Sequence, residues 1–292
     1  MSPEQVFAAN GGVATTRQLL DVISRKSLAC HVRAGRMVRL RRGVYAPARP
    51  DVFGQLAALD LATGARIVAC MGTAAALYGF GIEADSRLHV LDPGIRLRPS
   101  ADVMVHQRLG APLRTVAGRL ATAPAWTAIE VARTLWRPRA LATLDAAVRV
   151  GACTPPELAC AVAEQKGRRG IVKVRDLIGH IDGRSESAME SEARLVFIDG
   201  GLPTPELQYE IVDRCGDRWR TDFAWPEARL AAEYDSVDWH MGPQALFHDR
   251  LKIARLQECG WLSVPMTVSD VRGDPSRLVA RIAMHLNQRR AA

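Results

Sequence analysis

The chain has 292 residues, a net charge of +8 at pH 7 and 48% hydrophobic residues, which sets an expectation of two domains with ample buried cores and room for a small third module. Six cysteines (Cys30, Cys70, Cys153, Cys160, Cys215, Cys259) are scattered without a CxxC pair, which argues against a zinc ribbon or disulfide framework and for a reducing cytoplasm. The first ten residues, MSPEQVFAAN, lack a basic n-region and an apolar h-region, and the most apolar run, IVACMGTAAALYGFGI, is broken by glycines and too short to span a bilayer, so no membrane or secretory role is expected.

The charge is unevenly placed. Nine Lys/Arg in the first fifty residues face only Glu4 and Asp21, an electrostatic footprint for nucleic acid. Thr15 and Thr16 can cap a short amphipathic helix over Arg17 to Ile23, and Ser24 starts a second one, RKSLACHVRAG, ended by Gly35. In that second helix Arg25, Lys26, His31 and Arg33 alternate with Leu28, Ala29 and Val32, so a 3.6 period turns the apolar set inward and the basic set outward. The segment MVRLRRGVYAP follows as a basic hairpin carrying Arg36, Arg39, Arg41 and Arg42 along one edge. Helix, turn, helix and two-stranded ribbon is the layout of a winged helix-turn-helix, whose second helix enters the major groove of duplex DNA while the wing touches backbone. A solvated basic face, or an anchor to anionic membrane, is the competing reading, disfavoured because the charge is clustered on one supersecondary unit.

The stretch GGVATTRQLLDVISRKSLACHVRAGRMVRLRRGVYAP resembles the N-terminal winged-helix domain of AbiEi-type antitoxins of type IV toxin–antitoxin systems. The resemblance covers about the first fifty residues. It implies operator binding, often autoregulatory, with a cognate toxin as a further partner and no enzyme required.

After a linker around Ala48 to Pro50, DVFGQLAALDLATG and TAAALYGF read as helices and RLHVL and DVMVHQRL as short strands. Helical patterns follow: PAWTAIEVARTLW, RALATLDAAVRVG, PPELACAVAEQ and VKVRDLIGHI, with Pro155 after Thr154 starting one helix and Gly151 ending another. His89 and His106 form no spacing that indicates metal or catalysis. The segment 51–184 is expected to be a connecting domain, mixed and then helical.

Between Gly183 and Gly260 the balance inverts, with fifteen Asp/Glu against nine Lys/Arg. Acid concentrated in a DNA-associated chain suggests a divalent-metal site. RWRTDFAW and RLAAEYD alternate as strands around a turn at Pro226 to Ala228, a register that sets Asp222 opposite Glu233, with Cβ atoms about 5 Å apart. Two carboxylates so close repel unless a cation or proton intervenes. Asp235 projects on the same face as Glu233. In SESAMESEARLVF the stripe Met189, Ala193, Val196, Phe197 leaves Glu190 at the edge of the buried face. In QALFHDRLKIARLQECGW, Phe247, Leu251 and Ala254 are expected to face inward, with Asp249, Arg250 and Lys252 as polar neighbours. An ordinary hairpin with exposed charges is the bland alternative for each residue taken singly.

SAMESEAR, GLPTPELQYEIVD, RTDFAWPEARLAAEYDSVDWH, FHDRLKIARLQECGW and LSVPMTVSDV together resemble the very-short-patch-repair-like endonucleases of the PD-(D/E)XK superfamily, over about Ser185 to Leu286. The resemblance implies that Asp222 and Glu233 bind Mg or Mn, that Glu190 is the helical acid, and that His240 with Asp249 and Arg250 is the polar set after the hairpin. Asp235 stands where the motif carries Lys, which leaves nuclease activity open and makes His240 the candidate acid or base.

The expectation is therefore an α+β chain in three segments: a winged helix-turn-helix over 1–50, the connecting domain over 51–184, and a restriction-endonuclease-like mixed sheet flanked by helices over 185–292. Its expected function is DNA binding joined to metal-dependent phosphodiester hydrolysis. The alternatives are a non-enzymatic antitoxin or autorepressor with a degenerate nuclease fold, and a repair factor whose reader only positions the nuclease. A homodimer would pair half-sites on the DNA.

Overall fold

The computed structural model describes residues 1–83, 85–95, 97–107, 110–235 and 243–290. The chain mixes helix and sheet and divides into two compact units, Met1–Val131 and Ala132–Ala292.

The first unit opens with α1 (Pro3–Ala9), β1 (Ala14–Thr15), α2 (Thr16–Leu20), α3 (Arg25–Arg33), β2 (Val38–Arg41) and β3 (Val44–Ala46). Thr15 caps α2 through a box with Gln18, and the Ser24 hydroxyl accepts from Ser27 N–H to start α3. Gly35 beyond the end of α3 has φ +69° and Gly43 in the hairpin turn φ +76°, both in the left-handed region that favours glycine. The strands form one antiparallel sheet in the order β1-β3-β2. Val6, Phe7, Leu19, Leu28 and Met37 bury together beneath it, so Leu28 and, in part, Val32 of α3 face inward as the periodicity requires, whereas Ala29, expected with them, is exposed. The short α1, which sequence reading left unassigned, supplies Val6 and Phe7 to this core.

The rest of the unit comprises α4 (Val52–Thr63), α5 (Met71–Leu77), β4 (Leu88–Leu91), β5 (Val103–His106), β6 (Leu113–Val116), β7 (Arg119–Thr122) and α6 (Pro124–Ala132). β4 and β5 pair in parallel, while β6 and β7 form a hairpin that sequence reading did not assign. Asp85 accepts from Arg87 and lies 2.9 Å from His89 Nε2, while His89 Nδ1 is 3.0 Å from His106 Nε2. The Arg87 hydrogen bond foremost holds the Asp85 carboxyl well below the usual carboxylate range.

The second unit begins with α7 (Arg137–Arg149), α8 (Pro155–Glu164) and α9 (Ile171–Arg175), then α10 (Ala188–Asp199). The strands β8 (Glu206–Val212), β9 (Arg218–Trp225) and β10 (Leu230–Tyr234) follow, then α11 (Pro243–Glu258), β11 (Leu262–Met266) and α12 (Pro275–Arg290). The sheet order is β11-β10-β9-β8, with the β8-β9-β10 meander antiparallel and β11 parallel to β10 across the α11 crossover. Ala193 and Phe197 of α10 pack with Phe223, Trp225, Leu230 and Met266 beneath this mixed sheet, and Met189 and Val196 join them as the expected stripe.

Two features depart from the periodicity. The helix α10 is enclosed almost all round: α7 covers the side of Ser191, Glu192 and Arg194, while the buried Glu190 meets Gln208 of β8. The helices expected in a connecting segment thus share a unit with the C-terminal sheet. In α11, Phe247 is 69% exposed and Ala254 is exposed. The inward side carries Leu251, Leu256 and Cys259 instead, packed against Trp219 and Trp261.

Candidate functional site

In the first unit α3 and the β2-β3 hairpin present a basic surface. Arg25, Lys26, Arg33, Arg36, Arg39 and Arg42 are exposed, and His31 is half-buried on the same helix. Among the described residues, none of these six cations has a carboxylate within ion-pair distance; Arg33 and Arg39 donate only to the carbonyls of Ala29 and Arg41. Arg41 differs. It lies at the irregular step in the β2-β3 ladder and is held in an ion pair by Asp102, which the Ser100 hydroxyl also contacts at 2.7 Å. Of the four hairpin arginines expected to face DNA, Arg36, Arg39, Arg41 and Arg42, one is thus neutralised within its own unit. The Asp102 carboxyl stays below the usual range, burial being outweighed by hydrogen bonds from Arg41 and Ser100.

In the second unit the acidic residues gather at the middle of the sheet. The pairs Trp225–Leu230, Ala224–Ala231 and Phe223–Ala232 follow the register expected from the Pro226–Ala228 turn, and its continuation sets Asp222 against Glu233. Asp222 Oδ2 accepts the Tyr234 N–H at 2.8 Å. Burial foremost, with the charges of Glu190 and Glu233, pushes the Asp222 carboxyl up to about 6 against the opposing pull of the Tyr234 N–H and Lys252. Asp235 is raised as well, by burial and then by Glu233 and Asp249.

Two members of this cluster were not placed in it by the sequence, Lys252 being read only as a polar neighbour on its helix. Lys252, from the α11 turn that faces inward, forms an ion pair with Glu233, whose other oxygen accepts from the Ser263 hydroxyl at 3.0 Å. Lys252 therefore supplies a cation beside Glu233 and close enough to Asp235 to lower its carboxyl. Gln208 sits at φ +53° in β8, at the position opposite Asp222, and donates to Glu190 Oε2 at 2.9 Å. A non-glycine residue in that conformation costs of order 1–3 kcal/mol and persists where its surroundings demand it. Its Oε1 is buried without a hydrogen-bond partner among the described residues.

The helix carrying Glu190 is held by ion pairs on its other side. Glu192, fully buried, accepts from Arg139 at 3.1 Å and from two nitrogens of Arg272 at 2.7 Å each. Arg194 donates to Asp145 at 2.6 Å and to the His180 carbonyl at 2.6 Å. Asp249 and Arg250 lie on α11, half-buried and exposed respectively, and His240 lies outside the described residues. Among the described residues no group of three or more His, Cys, Asp or Glu forms a ready ligand set for a metal, and no helix is long and apolar enough to cross a membrane.

Residues 67–180 match the family model of the AbiEi antitoxin C-terminal domain. The AbiEi-type resemblance is supported on that segment rather than on the first fifty residues where the basic helices lie. Two Mycobacterium tuberculosis proteins, described as uncharacterized proteins MT2308 (strain CDC 1551 / Oshkosh) and Rv2248 (strain ATCC 25618 / H37Rv), are each 59% identical to this chain over 277 residues, covering 95% of it and 99% of each relative. The chain belongs to the family of these two proteins. A crystal structure of the RV2827C protein from Mycobacterium tuberculosis aligns with 72% of this chain and 89% of that one, at 15% identity and a TM-score of 0.40.

Proposed function

We propose that this protein is a DNA-binding regulator of the antitoxin type, acting with a cognate toxin, in which α3 and the β2-β3 hairpin form a winged helix-turn-helix on duplex DNA. The observation that carries the reading is the exposed set Arg25, Lys26, Arg33, Arg36, Arg39 and Arg42, six cations with no carboxylate partner among the described residues. A protein that leaves so many cations without a counter-charge on one helix and its adjoining hairpin has left them for phosphate, since each neutralised phosphate releases counterions. In this reading Arg25, Lys26 and His31 face base edges while Arg36, Arg39 and Arg42 meet backbone. Fluorescence anisotropy of the full chain on duplex DNA across a salt series tests it. Binding that weakens steeply with salt, and less steeply once Arg36 and Arg42 are replaced, is the expected result; no binding to duplex DNA overturns it.

A second reading rests on the acidic cluster: metal-dependent phosphodiester hydrolysis on an endonuclease-like sheet. The α10, β8-β9-β10, α11, β11 order and the carboxylates Glu190, Asp222 and Glu233 support it. The donor chemistry fits Mg or Mn only partly. Asp222 is driven toward protonation by burial first and then by the neighbouring carboxylates Glu190 and Glu233, and Gln208 offers a buried oxygen without a hydrogen-bond partner among the described residues. Glu233, however, has both oxygens engaged by Lys252 and Ser263. Such a set suits a hard ion held by one or two carboxylates and water, not an all-protein cage. Bound there, the ion would polarise a phosphate and activate water. Asp222 and Glu190 would hold it, and Lys252 would place positive charge beside the developing phosphorane. Nicking of duplex DNA by the wild type with Mg or Mn, lost in both Asp222→Ala and Glu190→Ala, is the result this reading requires; a wild type inactive with either ion removes it and leaves the regulator reading intact.

A further inference from the structure

Against β2 of the basic hairpin, within the first unit, lies a cavity of about 320 Å³ lined by Arg39, Arg41, Arg49, Gln55, Ala58 and Asp102. Three of the lining residues are arginines, and the lining offers a single carboxylate. Asp102 is committed to Arg41. Neither Arg39 nor Arg49 has a carboxylate partner among the described residues, so the cavity keeps an uncompensated positive charge in a partly enclosed space. The buried Ala58 closes the floor.

We propose that this cavity binds a phosphoryl group, with Arg39, Arg41 and Arg49 as its donors and Asp102 as the internal anion that occupies Arg41 in its absence. Guanidinium forks match phosphate oxygens in bidentate geometry, and such charge-assisted bonds strengthen where water is partly excluded. The volume is at the small end of ligand sites and accommodates one phosphorylated small molecule or one backbone phosphate of a nucleic acid. Both sources present the same oxyanion. The site does not require the DNA-binding reading, because a free phosphorylated ligand would use the same three arginines.

Inorganic phosphate is the probe, titrated into the full chain by calorimetry at constant ionic strength maintained with chloride. Saturable binding is expected in the wild type. Arg49→Gln, at an exposed position outside the buried core, should weaken it about tenfold or more, the loss expected for one charge-assisted hydrogen bond. Asp102→Asn should tighten it, because Arg41 is released from its internal partner; a residue with a purely structural role would not produce a gain. The same variants are then titrated with duplex DNA. If Arg49→Gln weakens DNA and phosphate together, the phosphoryl group belongs to the DNA backbone. If it weakens phosphate alone, the ligand is a free phosphorylated molecule, and wild-type DNA binding reports separately on the regulator reading. Absence of saturable phosphate binding in the wild type, or an affinity indifferent to both substitutions, overturns the proposal.

Discussion

Replacing Asp222 by asparagine should stabilise the folded chain at about pH 8 and change it little at about pH 4, because the wild-type carboxyl carries its cost only when ionised. That carboxyl is pushed up to about 6 by burial and then by Glu190 and Glu233, against about 3.9 in an unfolded chain. The folded state thus holds the proton more tightly than the unfolded one. Stability from this group is complete below about pH 4, declines as pH rises toward 6, and stays low above it. At about 1.4 kcal/mol per pH unit, the ionised side chain costs at most about 3 kcal/mol at neutral and higher pH. Asparagine keeps an oxygen for the Tyr234 N–H while removing the charge that Glu190 and Glu233 repel. Urea unfolding followed by circular dichroism at the two pH values measures the difference. A variant no more stable than the wild type at the higher pH, or equally stabilised at both, refutes the electrostatic account of the cluster. Adding MgCl2 extends the test: if the carboxylates hold a divalent ion, the wild type gains stability at the higher pH and the variant does not.

Replacing Arg36 and Arg42 together by glutamine should lower the log-log salt slope of duplex binding by about 1.8, at about 0.9 for each phosphate no longer neutralised; an unchanged slope removes both from the interface. Asp145→Ala strands the Arg194 guanidinium, whose side chain is 6% exposed, and should cost about 3–5 kcal/mol in urea unfolding. Gly200→Ala should cost about 1–3 kcal/mol by overpacking, since a Cβ there would meet the Val279 methyls at 2.5 and 2.6 Å while the backbone has an ordinary φ of −79°; Val279→Ala should restore the loss. Lys252→Met removes the cation that lowers both Asp222 and Asp235, so both carboxyls should titrate higher by carbon-detected NMR.

Local chemistry was the most legible part of the chain. The caps at Thr15 and Ser24 and the turn at Pro226–Ala228 are decided within four or five residues, and the last of these set the β9-β10 register. The orientation of α11 was not legible, because Phe247, Leu251 and Ala254 fall at the i, i+4, i+7 spacing of an apolar stripe, whereas the side that packs, Leu251, Leu256 and Cys259, is selected by contact with Trp219 of β9 and with Trp261. The error mattered chemically. With α11 rotated, Lys252 falls among exposed polar residues instead of meeting Glu233. Gln208 was invisible for a different reason: its left-handed backbone is imposed by the ladder around it and by Glu190, and no residue preference announces it. Arg41 looked like its neighbour Arg42 because its partner, Asp102, is sixty-one residues away in the sequence.

The ion pairs around α10 connect the candidate cluster to a part of the chain whose role the sequence left unassigned. Glu190 can meet Gln208 and influence Asp222 only if α10 keeps both its rotation and its depth. Apolar packing against the sheet through Ala193 and Phe197 fixes one side of the helix. Its other side is fixed by charge, with Arg139 and Arg272 on Glu192 and Asp145 on Arg194. Buried pairs of this kind add little net stability over an apolar replacement, yet breaking one is costly, so they favour one arrangement of the helix over its alternatives. Arg139 and Asp145 both belong to α7, inside the segment 67–180 that matches the AbiEi antitoxin C-terminal domain. A fragment beginning near residue 185 would keep every strand of the sheet, every carboxylate of the cluster and Arg272, yet lose Arg139 and Asp145, the α7 groups that help orient the helix of Glu190. The acidic site is therefore a property of the whole second unit, and its chemistry is to be assayed in chains that retain α7.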